Sequence, residues 1–418
     1  MIQANVIAAP AGRYRHWDTL RQLDPPQGLE LDEWWLAIKM ARGALMRPFP
    51  LTDPAGLPFD VAMPDPAHEM VHRIDRDAAG QIAISDTVLT PEIRNRYLVS
   101  SLIEEAISSS QLEGASTSRV IAKEMIRSGR PPRDRSERMI SNNFRAMNLV
   151  REWRSDPLTP ERVLQLHRVV TDQTLDDPTT AGRLQLPDED RVAVYDRQTG
   201  ALRHAPPPAE QLPGRLEALC SFANSDPVDT FLHPVVRSIL LHFWLAYDHP
   251  FADGNGRTAR AIFYWSMLHR GYWLTEFLTV STILNRAPAR YERTFLYVES
   301  DDRDTTYFVL SQLRVICQAI DDLHDYLQRK VMEVRETERL LRSSALNHRQ
   351  VALLSNALRR PDAEYTVRSH QLSHGVVNQT ARMDLLHLAE RGLLRHRRAG
   401  KRFVFRPVED LQERVGGT

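Results

Sequence analysis

Apolar residues recur every three or four positions through most of the chain, the spacing of helices that bury one side. Over 31–45 that side would carry Trp34, Trp35, Ile38 and Leu45; over 90–114, Leu98, Leu102, Ala106 and Ile107. The same pattern predicts helices at 115–130, 136–153, 162–172, 231–247, 259–268, 283–297 and 306–327. Pro91 and Thr159-Pro160-Glu161 read as helix starts, and Gly129 with Pro131 and Pro132 as a stop. The period changes only locally. Between 187 and 208, Val192, Val194 and Leu202 flank a turn-prone 196–200, which predicts a short hairpin stiffened at its end by Pro206, Pro207 and Pro208. Residues 1–85 are proline-rich, and outside 31–45 they read as loop and short strand, with strands expected at 70–74 and 81–84. The fold class expected is mostly α.

Charge and pattern shift towards the C-terminus. A strongly charged helical stretch at 329–346 reads as a connector, and over 347–407 Arg and Lys outnumber Asp and Glu about threefold. Helices are expected at 349–358, 368–372 and from Asn378 onward, followed by a basic hairpin over 395–405. That order resembles a winged helix–turn–helix domain at 347–418. The resemblance implies that Asn378, Gln379 and Thr380 would enter a major groove and that Arg397, Arg398 and Lys401 of the wing would meet phosphates. The alternative is a dimerisation or docking surface.

Over the full 418 residues the charge balances, 54 basic against 54 acidic, so no polyelectrolyte partner is implied for the whole chain. Two separated cysteines, Cys220 and Cys317, form no metal pattern and fit a reducing compartment. No apolar run approaches about eighteen residues and no leader is evident at 1–15, so a cytoplasmic protein without a membrane span is expected. His68-Glu69-Met70-Val71-His72 matches a zinc-protease pattern, but the expected strand there and the lack of an evident third ligand set it aside.

The densest chemistry lies at 249–260, between two apolar helices: His249, Pro250, Phe251, Ala252, Asp253, Gly254, Asn255, Gly256, Arg257, Thr258, Ala259, Arg260. A loop that opens onto a helix N-terminus offers free N–H groups and the positive end of the dipole to an anion. Gly254 and Gly256 permit the turn that gathers those groups around a phosphate. Asn255 can donate its amide to a phosphate oxygen, Arg257 and Arg260 can fork onto distal phosphates, and Asp253 suits Mg²⁺. His249, with an ordinary pKa near neutrality, is the candidate general base for a hydroxyl. No P-loop pattern occurs.

These residues match at every fixed position the signature of the Fic family, His-Pro-Phe-x-Asp/Glu-Gly-Asn-Gly-Arg-x-x-Arg, which the chain resembles here. The resemblance implies a Fic-type helical core at 90–328, with 1–89 packing on it, and transfer of AMP from ATP and Mg²⁺ to a protein hydroxyl. His249 would be the base, Asp253 the metal ligand, and Phe251, Gly254, Asn255, Gly256, Arg257 and Arg260 the nucleotide site. Tyr291 falls where the family places an aromatic pair near adenine, although Glu292 replaces the second aromatic. Ser109-x-x-x-Glu113-Gly114 resembles the family's inhibitory motif, which implies that Glu113 at the end of helix 90–114 would pair with Arg260. A capping box at Ser110 and Glu113 is the plainer alternative. The hairpin, with Val192, Ala193 and Val194, would be the flap that holds a target segment by strand addition, or a mere connector. His167 reads as a polar contact. Other nucleotide or phosphate transfer, removal of AMP, and a nucleotide-sensing DNA-binding regulator stay open, as does a homodimer.

Overall fold

Prolines and short capping side chains mark most helix starts in the computed structural model, which describes residues 8–79, 91–191, 194–195, 202–225, 231–343, 346–360, 362–399 and 402–416. The N-terminal elements are α1 (Trp17–Leu20), α2 (Leu31–Gly43), the antiparallel strands β1 (Arg47–Thr52) and β2 (Pro58–Val61), and α3 (Asp65–Ile74). There follow α4 (Pro91–Leu112), α5 (Arg119–Ser128), α6 (Arg135–Glu152) and α7 (Pro160–Thr171). The flap strands β3 (Val194–Tyr195) and β4 (Leu202–His204) pair antiparallel, Val194 opposite His204. The central set is α8 (Leu212–Asn224), α9 (Pro234–Asp248), α10 (Asn255–His269), α11 (Val280–Arg286), α12 (Pro288–Ser300) and α13 (Thr306–Ser343). Last come α14 (His348–Arg359), β5 (Tyr365–Thr366), α15 (Val367–His374), α16 (Asn378–Glu390), β6 (Leu394–Ala399), β7 (Arg402–Pro407) and α17 (Leu411–Gly416). The turn expected at 196–200, the strand expected at 81–84, and Val192, Ala193 and Lys401 lie outside the described residues.

Residues 1–82 with 98–321 form one compact unit, and residues 83–97 with 322–418 another. In the first, α9 and α10 are buried almost throughout, α9 as a largely apolar helix and α10 with its polar side chains buried at its first turns. Their pairing is the centre of the fold, and the loop joining them is 249–254. Phe59, Phe243, Phe295 and Phe308 stack in one aromatic cluster beside α9, with Phe243 5.5 Å from Phe295 and 5.2 Å from Phe308. The N-terminal region is tied in by Arg42, whose buried guanidinium donates to the carbonyls of Ala8 and Arg15 and to the Tyr307 hydroxyl. In the second unit, Leu353, Leu354, Leu385, Leu388, Leu394 and Phe405 form a separate core under an antiparallel sheet of order β5-β7-β6.

Three expectations are corrected. Residues 70–74 belong to helix α3, because Pro64 and Pro66 sit at its N-cap and first turn, where proline starts a helix. The helix expected at 283–297 is two, α11 and α12, split where Pro288 opens a new N-terminus. The charged stretch 329–343 is helical as expected but begins no new element: it continues α13, a single helix of 38 residues. His68 and His72 therefore do lie one helical turn apart, on an exposed face. Among the described residues, no group of three His, Cys, Asp or Glu is placed to hold a metal.

Candidate active site

The last turn of α9 presents His249. Asp248 is buried, and Arg215 donates to its Oδ1 at 2.6 and 2.8 Å while Trp244 Nε1 donates to Oδ2 at 3.0 Å. That fixes the backbone where it turns left-handed at His249, φ 46° and ψ 53°. His249 Nδ1 lies 3.3 Å from the Ala246 carbonyl and so donates there, which leaves the Nε2 lone pair free. The ordinary near-neutral pKa expected of it does not hold: burial pushes it down to about 4, the Ala246 bond and Glu113 oppose the fall, and nearby His204 and Arg191 add to it. At neutral pH His249 is therefore an uncharged imidazole able to accept a proton.

The loop that follows is held by its own side chains. Asn255 Oδ1 accepts from the Phe251 N–H at 2.9 Å, and Asn255 Nδ2 donates to the Phe251 carbonyl at 2.7 Å. The buried Asn255 amide thus satisfies the loop's own backbone, with one Nδ2 hydrogen left over. The expected role of Phe251 is corrected: its ring is fully buried and stacks on His167 at 3.8 Å, away from any ligand. His167 was read as a bare polar contact, yet it anchors the loop. Its Nδ1 accepts from the Gly182 N–H at 3.0 Å, so Nε2 carries the proton and donates to the Asp253 carbonyl at 2.8 Å. The one signal for this in the sequence is that His167 falls on the buried side of its helix, among Val163, Leu166 and Val170.

Gly254 caps α10 at φ 82°, where a Cβ would come within 2.6 Å of Thr171 Cγ2, so only glycine fits. Beyond it the first N–H groups of α10 have no intrahelical partners. Glu113, just past the end of α4, points its carboxylate here. Arg260 Nη2 donates to Glu113 Oε1 at 2.8 Å and to the Ser109 carbonyl at 2.9 Å, while Arg260 Nε donates to Ser109 Oγ at 2.9 Å. A Cβ on Gly256 would collide with Glu113 Oε1 and lie 3.0 Å from Arg260 Nη1. The carboxylate thus rests against the N-terminus of α10, where the helix dipole favours an anion. α4 itself is held by α6, as Asn143 donates to the Ala106 carbonyl, and Asn142 ties α6 to the end of α7.

Arg257 is completely buried, donating to the Val170 carbonyl at 3.2 Å and to Asp253 Oδ2 at 3.3 Å, so it faces the protein rather than distal phosphates. Asp253 is 42% exposed, and its Oδ1 accepts from the Gly254 N–H at 2.6 Å. One exposed carboxylate beside a phosphate cradle fits Mg²⁺, which takes most of its ligands from phosphate and water. Tyr291 places its hydroxyl 2.9 Å from His242 Nε2; burial, opposed by Arg260, holds that hydroxyl well above its usual pKa, and Glu292 is exposed. Two residues missed in the sequence join the flap to this site. Arg191 donates to the carbonyls of Asp248 at 2.8 Å and His249 at 3.2 Å, and His204 Nε2 lies 2.6 Å from the Tyr247 carbonyl. Neither had a local signal, because each acts on a carbonyl far away in sequence.

A neutral base at a left-handed turn, a glycine-lined helix N-terminus and a buried arginine answered by a carboxylate define a Fic-type site, and the chain contains a Fic domain. Residues 157–267 match the Fic/DOC family. The protein adenylyltransferase Fic of Nematostella vectensis is 27% identical over 208 residues, 49% of this chain and 45% of that protein. The protein of the same name from Drosophila erecta is 34% identical over 115 residues, 28% of this chain and 21% of its own. The chain spans less than half the length of these curated relatives. A Fic family protein from Desulfovibrio desulfuricans G20 shares the fold, with a TM-score of 0.52 at 19% identity over 82% of this chain and 96% of that one. No helix among the described residues is long and apolar enough to cross a membrane.

Proposed function

We propose that this chain is a protein adenylyltransferase that moves the AMP part of ATP onto a Ser, Thr or Tyr hydroxyl of a protein, and that Glu113 holds it in check. The observation that carries this reading is the seating of Glu113 on Arg260 and against Gly256, at the N-terminus of α10, whose free N–H groups suit a phosphate. A carboxylate there competes with an outer phosphate of ATP for the same donors. With Glu113 displaced, Arg260 and the N–H groups of Gly256 and Arg257 would take that phosphate, Arg257 would add its charge from behind, and Tyr291 would lie beside the base. A target hydroxyl attacks the α-phosphorus, its proton passes to His249 Nε2, and the bond to the bridging oxygen breaks to release pyrophosphate. Asp253 would hold Mg²⁺, which when bound neutralises charge between the phosphates. The edge of the β3–β4 flap, including Val194, would take the target segment as an added strand. The names of the relatives support the choice of AMP as the group moved.

The test is labelling by ATP and Mg²⁺, with mass spectrometry of the product. Glu113→Gly should modify itself or a partner about tenfold faster than the unmodified chain, as expected when a competing anion is removed. An added mass other than AMP, or silence from both proteins, would overturn the reading.

A second reading concerns residues 347–418, which we take as a winged helix–turn–helix that binds DNA. Asn378 and Gln379 stand exposed at the start of α16, and Arg395, His396, Arg397 and Arg398 are exposed along β6. Arg397 is partly answered by Glu364 at 3.4 Å and Arg395 by Glu409 at 3.4 Å. Binding to duplex DNA should fall steeply between about 50 and 200 mM salt and weaken uniformly across sequences in Arg398→Ala. Salt-independent binding would favour a protein-docking role.

A further inference from the structure

We propose that His204 is a doubly protonated clamp that fixes the flap to the turn carrying His249, and so acts as a positioning residue for the target. Its part in transfer rests on the adenylyltransferase reading; the clamp itself does not.

The argument begins with the carbonyls at the end of α9. A helix leaves its last carbonyls without intrahelical donors, and they form the negative end of its dipole. In this chain each has an assigned partner. The Leu245 carbonyl accepts the His249 N–H and that of Ala246 takes His249 Nδ1. The Tyr247 carbonyl takes His204 Nε2, while those of Asp248 and His249 take Arg191. The Pro250 carbonyl accepts the Gln185 N–H. Two flap-root side chains, one before β3 and one at the end of β4, therefore cap the turn that aims the base. Arg191 also donates to the Pro207 carbonyl at 2.8 Å, so it bridges the two ends of the hairpin.

The protonation state of His204 follows from its partners. Its second ring nitrogen, Nδ1, contacts the Glu299 carboxylate of α12. A carbonyl and a carboxylate only accept, and a neutral imidazole has one N–H to give, so one lone pair would face an oxygen. Only the imidazolium satisfies both.

The surrounding charges agree with a cation there. Glu299 is its direct partner; Asp248 is answered by Arg215 of α8, and Asp53, after β1, acts on neighbouring Tyr247. Arg191 and neutral His249 stand beside it, and Tyr247 packs its ring at 4.7 Å. A ring with a single N–H would keep only one of the two bonds. His249, by contrast, keeps a free lone pair.

The first test is ¹⁵N-histidine NMR on the full chain, with the His204 signals assigned by their loss in His204→Gln. Both ring nitrogens should show the signature of an N–H donating a hydrogen bond, and Glu299→Gln should remove that of Nδ1. A single N–H in the parent, or an unchanged Nδ1 signal in Glu299→Gln, overturns the clamp. The second test uses the Glu113→Gly background. There His204→Gln should raise the target KM about tenfold with kcat within about twofold. An unchanged KM overturns the positioning role. If no variant transfers AMP, the adenylyltransferase reading fails, and the NMR signals still decide the clamp.

Discussion

In a Glu113→Gly background, His249→Ala should slow AMP transfer by about a hundredfold to ten-thousandfold, the range over which a positioned general base contributes. ATP affinity should change by less than about threefold, because the phosphate donors belong to Arg260 and the start of α10. The size of the effect follows from the absence of a substitute. His167 has both ring nitrogens bonded within the fold, and His242 Nε2 is engaged by Tyr291. His204 has both nitrogens engaged too. Of these histidines, only His249 has a lone pair directed away from the protein's own donors. Burial already holds it neutral, down to about pH 4, so the loss on substitution is of the base itself and not of a charge. Transfer rates measured alongside binding of labelled ATP check this. A rate within tenfold of the parent, at equal ATP binding, would take the base role from His249.

Arg215→Ala should cost about 3–5 kcal/mol of stability in the first unit, the usual loss when one member of a buried ion pair is deleted. Asp248 would keep only the Trp244 Nε1 donor for its carboxylate, and the Thr52 carbonyl of β1 would lose its bond to Arg215 Nη2 at 2.6 Å. Asp248 adjoins the left-handed turn at His249, so the injury reaches the base as well as the fold. Urea unfolding should show a lower midpoint with an unaltered slope. The double replacement Arg215→Met with Asp248→Leu should recover most of the loss, since an apolar pair of similar volume leaves no orphan charge. Equal midpoints for Arg215→Ala and the parent would mean that the pair contributes nothing.

The helical core and the 249–260 loop were legible in the sequence for a local reason. Helical spacing, proline at N-termini and glycine at a left-handed cap are properties of consecutive residues, and these decide α4, α9 and α10. The direction of each side chain was not legible. Asn255 and Phe251 belong to a dense motif, but a buried tight loop must first satisfy its own backbone, and Asn255 does so with both ends of its amide. The prolines before α3 were read as breakers when they are a start signal, and a charged stretch that extends a buried helix looked like a linker. Arg191, His167 and His204 lay beyond reach altogether, because each bonds a main-chain atom brought near only by the folding of α7, α9 and the flap.

Gly256 narrows the ways in which this protein could change over evolutionary time. With Glu113 seated, a β-carbon at 256 runs into its carboxylate and crowds Arg260 Nη1, so a side chain there would have to displace both. On the adenylyltransferase reading it would crowd the phosphate that takes the same place, so position 256 is costly to fill in either state. Position 113 is open by comparison: one base change turns a glutamate codon into a glycine codon and leaves the cradle intact. Descendants that lose restraint should accordingly carry substitutions on α4 and its end, and keep glycine at the start of α10.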